Sequence, residues 1–289
     1  MKRLPHALLL SGPAEIGKRH FAKLFIQHLL CSKPLNNQAC GKCKQCVLFS
    51  SGGHPDFLCI EPESPGKAIS INDIRALAEF AVTTSHQQKW KVALVAPVEA
   101  MTLNAANAFL KTLEEPRDEV LLVLVHDQQA PVLPTIRSRC RIVNQRIPPQ
   151  ALVLNWLEQQ LKKADTAAEK ILARAGGRPL RALQFAQDNT LADIEQFERI
   201  LRQVQSGEAP PISSAAAFEA FPFQQLLEWF ISFFSQQLTT MAQRGIVAAP
   251  RYFVFYDLLL STRKKLESKT NLNSQLLLEE LFLNLRQLA

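Results

Sequence analysis

The chain has 289 residues, a formal net charge of +7 and an apolar fraction of 47%. That length accommodates two or three domains with cores of their own. It holds no run of about 18 apolar residues, which argues against a membrane-spanning helix. The basic excess has no long Lys/Arg block, so it suits a solvated surface as well as an acidic partner such as nucleic acid. The apolar stretch after Met1-Lys2-Arg3 is short and runs into a glycine loop, so a cytoplasmic chain is expected and not a secreted one.

In chain order, Ala7–Leu10 reads as a short apolar strand. It leads into Gly12-Pro-Ala-Glu-Ile-Gly17-Lys18-Arg19. The phosphate-loop pattern G-x-x-x-x-G-K-[ST] is met at Gly12, Gly17 and Lys18 and fails at Arg19, where a hydroxyl would ligate Mg²⁺. A guanidinium has no acceptor atom and carries its own positive charge. Lys18 can hold a phosphate as a point charge, or Lys18 and Arg19 are ordinary first-turn residues of a helix. That helix spans Lys18–Leu30, with Phe21, Leu24, Phe25, His28 and Leu29 expected on one face.

Four cysteines follow. Cys40-x2-Cys43-x2-Cys46, with Cys31 nine positions earlier, has the clustered spacing that suits tetrahedral Zn²⁺. Free thiols and an iron–sulfur cluster compete with that reading. The common iron–sulfur run wants a further cysteine where Ser50 stands. All ligands come from one local insertion, so the metal would be structural. Cys59 sits in an apolar strand and reads as core.

Phe57–Ile60, Val92–Ala96, Val120–Val125 and Arg141–Asn144 read as the remaining strands. Between them lie helices at Ser70–Thr84, with Ser70 and Asp73 as a capping pair, at Thr102–Glu114, stopped by Pro116, and near Leu133–Ser138. Apolar strands alternating with helices indicate a parallel sheet covered on both faces. The third strand ends in Ala96-Pro97. Neither residue can coordinate a metal or act as a base, and Glu99 comes about three positions late. Metal hydroxyl, metal carboxylate and catalytic base are therefore all missing.

Beyond Pro148-Pro149 no strand signal remains. Ala151–Lys163, Thr166–Ala175 and Arg181–Ala186 read as a small helical bundle, with Gly176-Gly177 as a breaker. Ser206–Ser214 reads as a linker. The rest is helical and rich in Phe and Leu.

The segment Asn104-Ala-Ala-Asn-Ala-Phe-Leu-Lys-Thr-Leu-Glu-Glu-Pro116 resembles the "NALLKTLEEP" stretch of bacterial DNA polymerase III clamp-loader subunits. Thr135-Ile-Arg-Ser-Arg139-Cys140 resembles their S-R-C segment. The cysteine cluster and Gly53-His54-Pro55-Asp56 stand in matching places. With the degenerate phosphate loop, the chain is similar to the delta-prime family of these subunits. The gamma/tau relatives share the cysteine module and the S-R-C segment but keep G-K-[ST] and an acidic strand tip. The motifs cover residues 7–145, and the helical remainder agrees in class only.

The resemblance implies an α/β P-loop AAA+ domain with a parallel sheet and zinc module, a small helical lid domain and an all-α collar domain. The corresponding spans are 1–147, with the module at 31–46, then 148–206 and 207–289. It implies a non-hydrolytic subunit supporting ATP-driven loading of the sliding clamp onto primed DNA. Partners would be gamma/tau and delta subunits, with the clamp and primer-template DNA reached through the complex. Arg139 would act in trans as an arginine finger on a neighbour's ATP site, although from composition alone Arg137, Arg139 and Arg141 are a basic exposed helix end. Arg181 resembles the second-domain arginine that senses nucleotide, here vestigial or a surface residue. Zn²⁺ is the expected cofactor, and nucleotide binding at Gly12, Gly17 and Lys18 is left undecided. An active ATPase with an unusual metal site and a zinc-containing DNA-binding regulator are the rival readings.

Overall fold

The computed structural model describes residues 4–288 apart from 65, 87–89, 116, 118, 162–166, 189 and 268–272. The expected stop at Pro116 and the ends of two expected helices at Lys163 and Thr166 lie outside these residues. The chain divides into two compact units, Met1–Asn155 with Gly177–Arg181, and Trp156–Gly176 with Ala182–Ala289.

The first unit is built on five strands, β1 (Ala7–Ser11), β2 (Phe57–Ile60), β3 (Lys91–Val95), β4 (Val120–His126) and β5 (Arg141–Asn144). All pair in parallel, in the order β2-β3-β4-β1-β5. Side chains alternate between faces along each strand, which gives the sheet two cores. Leu9, Ala93, Val95, Leu122 and Leu124 meet helices α3 (Ile71–Val82) and α4 (Leu103–Glu114) on one side. Leu10, Val92, Leu94, Leu121 and Val123 meet helix α1 (Lys18–Leu30) on the other. Both faces are covered, which is why the central strands carry unbroken apolar runs.

Local signals account for the helix starts. Ser70 and Asp73 form the expected capping box on α3, and Thr102 accepts the Ala105 N–H at 3.2 Å to start α4. The α1 expectation needs correction. Its buried stripe is Lys18, Ala22, Ile26 and Leu30, while Phe21 and Leu24 are exposed. Phe25 and Leu29 are half-buried at the edge of that core. The small Ala22 lets the helix approach the sheet closely, and apolar residues on both sides of α1 leave the periodicity ambiguous.

The short helices α2 (Lys44–Ser50) and α5 (Pro134–Arg139) complete this unit, α5 starting with proline at its first position and anchored by the buried Ile136. Helix α6 (Gln150–Leu161) begins in the first unit and ends in the second.

After α6, every regular element among the described residues is a helix: α7 (Ala167–Arg174), α8 (Pro179–Gln187), α9 (Thr190–Ser206), α10 (Pro211–Ala216), α11 (Phe223–Gln243), α12 (Pro250–Glu267) and α13 (Ser274–Arg286). The core of the second unit is aromatic. Phe197 packs edge-on to Phe218 and Phe230, with ring centroids 4.9 and 5.0 Å apart, and Phe230 meets Phe282 at 5.3 Å. Phe233, Phe234 and Phe255 are buried as well, whereas Phe253 is exposed. The linker expected at Ser206–Ser214 is shorter: Ser206 ends α9, Pro211 opens α10, and Ser214 is buried. Proline at a first helical position reads as a breaker in sequence although it starts a helix well.

Candidate functional site

In parallel α/β sheets, ligand loops gather at the carboxyl ends of the strands, where the strand order reverses. Here β1 lies between β4 and β5, and the loop that leaves it contains Gly12–Arg19. Gly12 is required by close packing, because a Cβ there would stand 2.2 Å from the Gln145 carbonyl oxygen. Gly17, at φ +96°, takes the left-handed conformation that opens α1. The backbone of this loop thus requires both glycines.

Its charged residues are engaged within the chain. Lys18 is buried, and its Nζ lies 2.6 Å from Asp127 Oδ1 and donates to the Pro13 carbonyl. Asp127 directly follows β4, and the β1–β4 register sets Ser11 beside His126. Arg19 donates through Nη2 to the Ala96 carbonyl at 2.9 Å and approaches Glu61 at 3.7 Å. Lys23 joins the same carboxylate at 3.6 Å. The guanidinium therefore spans from the start of α1 to the tip of β3. Glu99 braces the β4 loop, its Oε1 accepting the Asp127 N–H at 2.9 Å and the Gln129 N–H at 3.5 Å. Burial pushes the Glu99 carboxyl above its ordinary range.

Asp127 and Glu61 were missed in the sequence. Asp127 could have been found by assuming the sheet order, since a residue after β4 must then face one after β1. Glu15, at φ 63°, is held by Arg178 at 3.5 Å and by the Leu180 N–H at 3.1 Å. Arg181 is half-buried in α8, in the Gly177–Arg181 segment that belongs to the first unit.

The cysteines do converge. The Sγ atoms of Cys31, Cys40, Cys43 and Cys46 all lie within 4.8 Å of one another. A tight turn at Asn36-Asn37, both at positive φ, closes Leu35 on Gln38 and returns Cys40 toward Cys31. The Sγ–Sγ separations Cys31–Cys40, Cys31–Cys43 and Cys40–Cys46 are 3.6, 3.9 and 4.0 Å. A tetrahedral zinc site with Zn–S bonds of about 2.3 Å has sulfur–sulfur edges of about 3.8 Å. Backbone N–H groups of Cys40, Cys43 and Cys46 donate to the sulfurs of Cys31, Cys40 and Cys43. Hydrogen bonding, led by the Ser32 hydroxyl, holds the Cys43 thiol down to about 5. Backbone donation, chiefly from Lys42, lowers Cys40, while burial pushes Cys46 up to about 12. A bound dication offsets that burial cost and lets four thiolates coexist. The cluster can hold a metal ion. Cys59 and Cys140 lie outside the cluster, and burial pushes their thiols, like that of Cys46, up to about 12 and about 11.

Arg139 ends α5 and is half-exposed. It donates to the Thr135 carbonyl at 3.0 Å and to the Ser138 hydroxyl at 3.3 Å. Its Nη2 lies 2.6 Å from Glu114 Oε1 at the end of α4. Glu114 was also missed as a partner, since it lies 25 positions upstream and meets Arg139 only through the packing of α4 on α5. Among the described residues, no helix is long and apolar enough to cross a membrane.

Residues 1–148 match the family model described as DNA polymerase III, delta subunit. The DNA polymerase III subunit delta' of Pseudomonas aeruginosa is 37% identical, the match covering 96% of this chain and 90% of that protein. The subunit delta' of Escherichia coli is 28% identical, over 97% and 88%. Among solved structures, a DNA polymerase III gamma subunit-related protein of Thermotoga maritima aligns over 99% of this chain and 95% of its own, at a TM-score of 0.51 and 22% identity. That likeness speaks for the fold, and the sequence matches fix the lineage: the chain belongs to the DNA polymerase III delta' subunit family.

Proposed function

We propose that this chain is a non-hydrolytic subunit of the DNA polymerase III clamp loader, supporting ATP-driven loading of the sliding clamp onto primed DNA. The observation that carries the reading is the phosphate loop whose lysine is paired internally with Asp127 and whose metal-ligand position is Arg19. A hydrolysing loop needs that lysine and a metal hydroxyl free for the nucleotide. Gamma/tau and delta subunits are the partners, and clamp and primer-template DNA are reached through the complex. Its layout is an AAA+ domain over 1–147, a lid domain over 148–206 and a collar domain over 207–289. The four cysteines hold a structural zinc, supported by sulfur spacings that suit a tetrahedron.

Arg139 is the residue offered to a neighbour's ATP site. Its half-exposed place at the end of α5 supports this, since a guanidinium that neutralises charge on a transferring phosphoryl group must reach out of its own subunit. Arg181 is left as a vestige of a nucleotide sensor.

The test is reconstitution. The purified chain is mixed with the matching gamma/tau and delta subunits, and complex formation is measured, followed by DNA-stimulated ATPase activity. A defined complex that turns over ATP while this chain alone is silent supports the reading. No association, together with Mg²⁺-dependent turnover by the isolated chain, sinks it. Arg139→Ala should leave assembly intact and lower turnover, and unchanged turnover in a fully assembled mutant complex removes the finger role.

A further inference from the structure

The Lys18 ammonium is almost wholly shielded from solvent, and its 2.6 Å partner is a carboxylate of the same chain. Asp127 is itself held, because Glu99 accepts its backbone N–H and that of Gln129. The Gly12 N–H donates to the His126 carbonyl at 3.2 Å, so the two loops are stitched side by side. On the other flank, Arg19 reaches the Ala96 carbonyl at the β3 tip and, with Lys23, the Glu61 carboxylate. Loop, helix start and the ends of β2, β3 and β4 are thus linked by charges that the chain supplies itself.

We infer that the chain fills its own phosphate seat: Asp127 stands where a phosphate would meet Lys18, and Arg19 stands in for the divalent cation. The loop is a latched polyphosphate site that needs no metal once the latch is released. The inference rests on Gly12–Arg19 being a former phosphate loop and not on the clamp-loader assignment. A carboxylate tethered beside the ammonium competes with any free anion at a high effective concentration. A polyphosphate sees only the small fraction of molecules in which Asp127 has swung away, and its apparent affinity falls by that fraction. With Asp127 neutralised, Lys18 and the first backbone N–H groups of α1 become available to an anion. Arg19 adds a fixed positive charge with fork-like donors suited to phosphate oxygens.

The experiment is calorimetric titration of pyrophosphate, and separately of ATP, into the full chain, once in EDTA and once with Mg²⁺ in its place. Parent, Asp127→Asn and the double variant Asp127→Asn/Lys18→Met are compared. Asp127→Asn should bind both anions about tenfold tighter than the parent or better, with no need for Mg²⁺. The double variant should lose the gain. Equal binding by parent and Asp127→Asn overturns the latch, and a gain that appears only with Mg²⁺ overturns the role given to Arg19. Denaturant unfolding verifies that Asp127→Asn is folded. If it is not, Glu99→Ala, which loosens the Asp127 loop and leaves the pair in place, should give a smaller gain, and its failure to do so counts against the latch. Assembly of the parent chain with gamma/tau and delta subunits is scored separately, so a chain that assembles but shows no gain discards this inference alone.

Discussion

Lys18 and Arg139 are both cations that family resemblance assigns to ATP chemistry, and the fold treats them in opposite ways. The Lys18 side chain is 1% exposed and the Asp127 carboxylate that neutralises it 25%. The Arg139 and Glu114 side chains are 36% and 47% exposed. A charge taken out of water depends strongly on a compensating partner, since stripping one member leaves an uncompensated buried ion. An exposed pair is worth little and exchanges easily. Lys18 is therefore part of the framework, while Arg139 can trade Glu114 for another anion at low cost. The cysteine cluster is a third solution, in which a metal ion bound by the four sulfurs would supply the compensating charge.

The largest effect is predicted where that outside charge is withdrawn. Cys43→Ser, or prolonged chelation of reduced protein, should abolish the one expected zinc per chain. Structural zinc binds with roughly 10–16 kcal/mol of apparent free energy that is also folding energy. Metal analysis together with limited proteolysis across residues 31–50 checks this, and freshly purified, unoxidised protein without zinc refutes it. Next comes Asp127→Ala, which leaves Lys18 buried without its carboxylate and should cost about 3 kcal/mol in denaturant unfolding. A loss no larger than that of a surface substitution would erase the contrast with Arg139. Gly12→Ala should cost about 2 kcal/mol, because its methyl group meets the Gln145 carbonyl, which is backbone and cannot turn aside. The smallest change in stability is expected for Arg139→Ala, about 0.5 kcal/mol or less. It should still lower ATP turnover by the assembled complex. A destabilisation matching Asp127→Ala would mean that Arg139 serves the fold.

Much of the first unit was legible in the sequence, and for identifiable reasons. Apolar runs such as Val120–Val125 can only be buried strands when helices separate them. Ser70 with Asp73 and Thr102 with Ala105 are local devices whose partners lie within one turn. The second unit was legible only as helical. The buried Phe230 and the exposed Phe253 look alike in a sequence, and they differ only in whether a neighbouring helix covers them. The α1 face was misjudged for the same reason, since apolar residues surround that helix and the close fit of Ala22 against the sheet chose the buried side.

The sequence by itself determined the alternating sheet architecture, the four-cysteine spacing and the loss of the metal-ligand hydroxyl, because each depends on residue type and short-range spacing. Only the tertiary structure decided which groups of the chain pair with the loop's cations. Asp127 is 109 positions from Lys18, and Ala96 is 77 from Arg19. Such pairs meet only because β4 lies against β1 and α1 opens beside the tip of β3, and pairing across a parallel sheet is a long-range event that no local pattern encodes.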